Sequence, residues 1–471
     1  MGTINNFNNS EDEIALINPW KQPFNNIIWG LITTSITLNL FMLQYILSTA
    51  GVVLLYLGFR NLRKVNRWFH ITWILSTIRL VWHLVQLFIF ATPFNLIYRD
   101  NKMIAFVITI FQIAFLLTFR NGIHTVYKQA NVIKRRDPIL FLVVWTIIVA
   151  FIPLTPYANI WLIFIPLIIF YIIFISSLSS VGNDLSNAAC EFISGNVKKN
   201  HNIFTLGYFA CCLVLISIGC FFSNHIRLNM SPQTPRTESD IRTDLLDLGF
   251  PIDIMGDISD EDISRFSGAI HVQSYGDLLT FDSMFASNPI NSRSEIIYSE
   301  PSYSGLNATT IYVELPDNLI YAIEYFEWID RNAYWHDGFT IFGQDDFELL
   351  NGVLLFKKDG VGYTAPIPRL ACEIVASKSM FNENVLKQIS GAVSFPFHSD
   401  DQRGYIVYSV QLPKEKWIGS NCFNYVHYSH PFRFPYEDTE QQILKGSLLF
   451  RDNLQQHYTN IKTQAYREAH P

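Results

Sequence analysis

The sequence predicts two unlike parts in one chain. An α-helical transmembrane bundle, five long spans plus an N-terminal hairpin, is followed by an α+β ectodomain that is mainly an antiparallel β-sandwich. Three observations predict this. The 471 residues are 49% hydrophobic and only 16% charged, with a mean hydropathy of +0.19, against roughly 25% charged residues in an average soluble protein. Charge is also unevenly divided: residues 1–224 carry 15 Lys+Arg against 7 Asp+Glu, and residues 225–471 carry 19 against 33. Finally, long unbroken apolar runs give way to short β-branched and aromatic runs separated by turn residues. A basic DNA-binding protein, a disordered tail and a small disulfide scaffold are thereby excluded, and no nucleic-acid partner is expected. The predicted order is an N-terminal segment (1–26), the bundle (27–224), a tether with a small helical element (225–268) and the β domain (269–471).

The first apolar run, Ile27 to Phe59, is too long for one straight span of roughly 20 residues and carries Asn39 and Gln44 near its middle. It reads as a tight hairpin of two short or tilted helices. Five runs of spanning length follow, at 69–91, 103–119, 138–154, 159–178 and 203–224. Lys and Arg are retained on the cytoplasmic side of membrane proteins. Arg60, Arg63, Lys64 and Arg67, then Arg120, Lys128, Lys134, Arg135 and Arg136, then Lys198 and Lys199 all fall on one face if the span 69–91 runs outward. Residue 225 onward is then outside, in the extracytoplasmic space of a plasma membrane. The N-terminus is cytoplasmic if the first run is a hairpin and external if it crosses once. No cleavable leader or myristoylation signal is evident, so the lipid bilayer is engaged by helices.

Within the first long span, Thr72, Ser76, Arg79, His83 and Gln86 fall at spacings of 4, 3, 4 and 3 and so share one helix face. An Arg facing lipid at mid-depth costs several kcal/mol, so this stripe should face the bundle or a wet cavity. It reads either as interhelical hydrogen-bonding glue, with Gln112 a partner, or as a polar pathway or anionic headgroup site built on Arg79 and His83. All seven acidic residues before 225 lie outside the predicted spans, so a carboxylate proton relay and ion-coupled transport are not expected. Neither an internal repeat nor a Walker A sequence is present.

Beyond the bundle, Ser231 to Arg236 reads as a polar tether. Thr237 with Asp240, and Ser259 with Asp262, have the spacing of helix-capping pairs, and Gly249 followed by Pro251, and then Gly268, are stop signals. Leu245, Leu246, Leu248, Phe250, Ile254, Ile258, Ile263 and Phe266 would form a small helical core. Asp257, Asp260, Glu261 and Asp262 invite a calcium reading, but the sixth and twelfth loop positions counted from Asp257 are Asp262 and Gly268 rather than glycine and an acid. First-turn carboxylates favoured by the helix dipole explain them. Candidate strands follow at 269–274, 294–299, 309–315, 319–328, 339–342, 352–358, 361–367, 389–397, 403–411 and 421–428, with a last one at 447–450. Asp359-Gly360 between two of them is a strong hairpin signal.

Cys190 is placed on the cytoplasmic side and Cys211, Cys212 and Cys220 in the last span, which leaves Cys372 and Cys422 outside as a candidate disulfide; two buried thiols in neighbouring strands are the alternative. No nucleophile elbow, zinc-protease motif, paired Cys-x-x-Cys or phosphate loop occurs, so no catalytic residue, metal or cofactor is assigned. His427 and His430 with Tyr425 and Tyr428, or His336 with Asp337, supply too few ligands for zinc and read as surface residues. Glu324, Glu327 and Asp330 around Trp328 read as a solvent-facing edge rather than a paired-carboxylate site. Among the many aromatics, Trp328, Trp335 and Trp417 are candidate contacts for an external ligand or partner protein, with core packing the alternative.

Several strings carry a resemblance. Leu245-Leu-Asp-Leu-Gly-Phe-Pro251 followed by Asp260-Glu-Asp262, then Tyr325-Phe-Glu-Trp328, Gly352-Val-Leu-Leu-Phe-Lys-Lys-Asp-Gly-Val-Gly-Tyr363, Arg403-Gly-Tyr405 and Gly58-Phe-Arg-Asn-Leu62 resemble uncharacterised multi-pass membrane proteins of Gram-positive-type bacteria. The resemblance implies a membrane bundle, a helical element and an external β domain, in that order, and no activity. Where that group carries Asp-Leu-Leu-Pro in the first hairpin, this chain reads Met42-Leu-Gln-Tyr-Ile46. The functional expectation is a plasma-membrane protein whose external β domain binds a ligand or partner in a sensing or scaffold role. The alternative is a transport or lipid-handling component that uses the intramembrane stripe.

Overall fold

A computed structural model describes residues 20–35, 42–131, 137–152, 155, 164–187, 201–281, 304–316, 319–329, 333–343, 346–378, 383–411, 418–444, 454–462 and 466–467. The chain divides into two compact units, Met1–Phe90 with Leu96–Ile216, and Ala91–Asn95 with Ser217–Pro471.

The helical part comprises α1 (Lys21–Ser35), α2 (Leu43–Leu62), α3 (Arg67–Phe90), α4 (Phe94–Asp100), α5 (Lys102–Gln129), α6 (Pro138–Phe151), α7 (Phe164–Asn187) and α8 (His201–Ser223). Among the described residues five helices are long and apolar enough to cross a membrane: α2, α3, α5, Ile165–Gly182 of α7, and α8. The first apolar run is indeed two helices, but α2 reaches spanning length by itself, and Gln44 lies inside it rather than at a break. Asn39 is outside the described residues. Conversely, the run 138–154 forms only the 14-residue α6. Close approach of α1 and α2 depends on glycine: a Cβ on Gly51 would come within 2.4 Å of Thr34, and one on Gly58 within 2.6 Å of Ile27. Asn101 starts α5 by accepting from Met103 N and Ile104 N at 3.0 and 3.3 Å, and Asp137 caps α6. The centre of the unit is aromatic, with Phe59, Phe69, Phe115 and Phe119 all fully buried and the Phe59 ring edge-on to Phe115 and Phe119 at 5.3 and 5.0 Å.

The second unit contains β1 (Ser231–Pro232), α9 (Asp240–Asp247), α10 (Ile252–Met255), α11 (Asp260–Ser264), β2 (His271–Phe281), β3 (Ser304–Glu314), β4 (Leu319–Trp328), β5 (Asp337–Gly343), β6 (Asp346–Lys358), β7 (Val361–Pro366), β8 (Ala371–Lys378), β9 (Glu383–Val393), β10 (Ser399–Gln411), β11 (Ile418–Val426), α12 (Thr439–Leu444) and β12 (Leu454–Lys462). Among the described residues the strands form two antiparallel sheets, ordered β1-β7-β6-β10-β4-β3-β2 and β12-β11-β5-β9-β8. The predicted strand at 319–328 matches β4, while those at 294–299 and 447–450 lie outside the described residues. Strands β8 and β12 were not anticipated. The tether is partly a strand as well, since Ser231 and Pro232 pair with Thr364 and Tyr363.

Alternation along the strands gives the larger sheet two buried faces. Ile320, Ala322, Phe326 and Trp328 of β4 join Ile406 and Tyr408 of β10 in a core shared with Phe339, Ile341, Ile389, Phe423 and Tyr425 of the smaller sheet. Ile323 and Tyr325 of β4 and Tyr405 and Val407 of β10 point the other way, under Leu245, Phe250, Ile254, Ile258, Ile263 and Phe266. The helical element therefore has no core of its own but covers a sheet. Its first cap is Ser239, whose Oγ accepts from Arg242 N, rather than Thr237. Gly249 ends α9 with φ +97°, as Gly249 N donates to Leu246 O and Phe250 N to Leu245 O. Asp359 and Gly360, with φ of 52° and 78°, make the predicted hairpin turn.

Cys372 and Cys422 are not disulfide-bonded. They sit on β8 and β11, with β5 and β9 between them, a separation of about 14 Å at ordinary strand spacing, whereas a bridge needs Cα atoms within about 7 Å. Nor are their strands neighbours.

Candidate functional site

The 4, 3, 4, 3 spacing does place the five polar residues along one line of α3, and the structure divides that line in two. Thr72 and Ser76 are fully buried. Thr72 Oγ1 donates to Thr118 Oγ1 at 3.2 Å and Ser76 Oγ to Trp73 O at 2.8 Å, beside the aromatic centre. These two are packing residues with satisfied hydroxyls. Arg79, His83 and Gln86 instead line a cleft of about 560 Å³ between α2, α3 and α5.

The cleft is shaped by one end of each of its three helices: Ser48 and Val52 from the first half of α2, residues 78–86 from the second half of α3, and Asn101 to Gln112 from the first half of α5. At its floor Arg79 Nη1 donates to Gln112 Oε1 at 2.7 Å, and the guanidinium carbon lies 5.8 Å from the Phe115 ring centre. His83 Nε2 is 3.0 Å from Thr49 Oγ1. Towards the other end Gln86 Nε2 donates to Tyr98 OH at 2.6 Å. Between these polar groups the wall is apolar, with Ile78, Trp82, Val107 and Phe111. Below the floor Phe115 belongs to the fully buried aromatic cluster, so the cleft is blind at that end. An apolar pocket of this size with a few convergent polar groups is the usual form of a small-molecule site. The sequence pattern points to Arg79, His83, Gln86 and Gln112 but not to Ser48 and Asn101, which also line the cleft, nor to Tyr98, which holds Gln86 from outside the lining. Asn101 carried a signal, since an Asn directly before a long apolar run is a helix cap and so lies at a helix end.

The polar clusters around Asp257, Asp262 and Glu440 in the β unit are of another kind, with their carboxylates already held by protein donors. Asp257 accepts from Arg403 Nε and Nη2 at 2.6 and 3.0 Å and from Tyr325 OH at 2.8 Å. Asp262 accepts from Tyr405 OH, Asn351 Nδ2 and Ser259 Oγ, and Asp260 and Glu261 pair with Arg242 and Arg265. The acidic stretch thus docks the helical element onto the sheet and does more than satisfy a helix dipole. His336 and Asp337 diverge. His336 Nε2 lies 3.0 Å from Glu440 Oε2, while Asp337 accepts from Tyr428 N and Tyr425 OH and lies 2.9 Å from His427 Nδ1. His336, Asp438 and Glu440 do bring three ligand atoms within 4.8 Å of one another. However, Arg369 Nη1 donates to both Asp438 and Glu440, so a guanidinium already stands between the carboxylates where a cation would sit. Burial by itself raises the Glu440 carboxyl, but the hydrogen bond with His336 and the Arg369 charge outweigh it and hold it at about 2.

Three sequence expectations change here. His427, Tyr425 and Tyr428 are buried rather than superficial. Glu324 is not on a solvent-facing edge, being 1% exposed inside the sandwich. Trp328 is 4% exposed, packs 4.6 Å from the His427 ring and donates to Tyr425 OH at 3.3 Å, so it cannot meet an external ligand. Trp335 is half-buried, edge-on to Phe221 and Phe397. Trp417 and Asp330 lie outside the described residues.

Comparison with known proteins adds no assignment. No protein-family model matches the chain, and no curated protein does. Solved structures that match include a collagen-binding domain from a Staphylococcus aureus adhesin, 9% identical over 31% of this chain and 90% of that one, with a TM-score of 0.18. Another is AvmM, described as catalysing macrocyclization in alchivemycin A biosynthesis, 11% identical over 31% of this chain and 82% of that one, also at 0.18. At such scores neither likeness bears on fold or activity.

Proposed function

We propose that this is a multi-pass plasma-membrane protein whose helical unit binds a small amphiphilic molecule in the cleft between α2, α3 and α5. This is the lipid-handling reading of the stripe. The observation that carries it is the cleft itself: about 560 Å³ of mainly apolar space, into which the polar side chains of Arg79, His83 and Gln86 converge from one helix. A purely structural stripe would be packed shut, as it is at Thr72 and Ser76. The β domain as a ligand-binding sensor has less support, because Trp328, one of its candidate contact residues, belongs to the core.

Filling the cleft tests the reading. Val107→Trp puts an indole into the cleft wall, and Ile148→Trp adds the same bulk on α6, which does not line it. Full-length protein purified from its native membrane should lose most of its co-purifying amphiphile, measured by native mass spectrometry, in the first variant but not in the second. Equal ligand content in the two variants would remove the proposal.

A further inference from the structure

Resting on the cleft being a binding site, we infer that its ligand carries an anionic oxygen group, phosphate or carboxylate, that seats against Arg79, Gln112 and His83. Arg keeps its charge in essentially any protein environment, and a buried or half-buried guanidinium in apolar surroundings calls for an anion. Here the protein does not supply one. Arg79 donates to the neutral Gln112 amide and faces the Phe115 ring, and among the described residues no carboxylate pairs with it. The contrast with Arg120 is direct: that guanidinium, on α5, has Asp137 at 2.6 Å. Every charged group of the cleft wall is thus cationic, while the neutral polar groups around it can donate to an oxyanion: the Gln112 amide NH2 once the side chain turns, and the His83 ring.

Position narrows the class. Arg79 lies twelve residues from the start of the 24-residue α3, about 18 Å along it at 1.5 Å per residue, so the charge is at the helix midpoint and not at its end. A small inorganic anion would have to leave water and cross the apolar wall of Ile78, Val107 and Phe111 with nothing gained from it. An amphiphile uses both parts, its oxyanion at Arg79 and its hydrocarbon against that wall. Two sources share this chemistry, a phospholipid headgroup and a fatty-acid carboxylate.

Delipidated full-length protein, titrated in detergent with phosphatidylglycerol, phosphatidylcholine, oleate or inorganic phosphate and read by native mass spectrometry, separates the possibilities. Wild type should bind an anionic amphiphile at least fivefold more tightly than the zwitterionic lipid, and preference for phosphatidylglycerol or for oleate identifies the source. Arg79→Gln should abolish that charge preference while total amphiphile binding persists, and Arg79→Lys should restore part of it. Equal binding of anionic and zwitterionic lipid by wild type, an unchanged preference in Arg79→Gln, or binding of inorganic phosphate alone would overturn the inference. The wild-type lipid series decides the matter even if Arg79→Gln does not fold. Loss of all binding in Val107→Trp together with no charge preference in wild type would leave the cleft standing as a site and remove only the ligand class.

Discussion

Glu324 is a carboxyl group 1% exposed in the interior between two sheets. Thr310 Oγ1 donates to it at 2.8 Å and Tyr408 OH at 3.1 Å from the larger sheet, and Asn421 Nδ2 donates to it from the smaller one. Its surroundings offer hydrogen bonds but no counter-charge. Burial pushes the carboxyl up to about 7 against these donors. Since the folded value lies above the unfolded one of 4.5, the folded state holds this proton more tightly. The stabilisation is complete below about pH 4.5 and is lost as pH rises to about 7, a change of up to about 3 kcal/mol. Glu324→Gln removes the titration, and the Thr310 and Tyr408 hydroxyls can rotate to accept from the new amide. The variant should therefore unfold at higher denaturant than wild type at pH 8 and lose the wild type's decline between pH 5 and 7. A wild-type profile flat over that window, with the variant no more stable, would contradict this. The sequence held a clue to the burial: Glu324 and Glu327 are three apart on a strand, which puts them on opposite faces, so both could not line one solvent edge.

The helical element formed by α9 to α11 shows how much a local pattern can reveal. Gly249 was readable as a stop because a left-handed residue is required there and Phe250 must fold back onto Leu245, which it does in the core under the sheet. Two glycines in this element separate conformational need from space. A Cβ would meet nothing within 4 Å at either Gly249 or Gly256, but Gly249 has φ +97° and Gly256 has φ −68°. Gly249→Ala should therefore cost about 1 kcal/mol or more, while Gly256→Ala should be neutral or add a few tenths through the unfolded chain. Equal midpoints in thermal unfolding of the two variants would show that the turn is not conformationally constrained. Elsewhere the pattern was silent for physical reasons. The inward positions of β12 are His457, Thr459 and Ile461, so a strand with a buried face reads as polar. Tyr312 OH lies 2.6 Å from Thr459 Oγ1, a cross-sheet bond that no local rule foresees. The Cys372 to Cys422 bridge failed on strand order, which composition does not encode.

At the scale of the whole chain, the division into a greasy basic part and an acidic β part was legible because both properties are sums over many residues, and single errors cancel. Among the described residues, long apolar helices followed by two antiparallel sheets come in the predicted order, but α2 takes the place of the run 138–154 among the five helices of spanning length. What could not be read was which polar residues pack and which line space: Thr72 and Arg79 share one helix face, and only tertiary packing closes one and opens the other. Sidedness remains a matter of charge. The sequence expectation, in which the run 138–154 crosses although it forms only the 14-residue α6, puts the clusters at Arg60 to Arg67, Arg120 to Arg136 and Lys198 to Lys199 on one face and residues 225–471 on the other. Single cysteines in an otherwise cysteine-free chain test it. Ile374→Cys is at a position 73% exposed on β8, and Arg135→Cys is in the basic cluster between α5 and α6. A membrane-impermeant maleimide applied to intact cells should label the first at once and the second only after the membrane is opened. The reverse pattern would put the basic clusters outside, where retention of Lys and Arg by the cytoplasmic face could not have set the orientation.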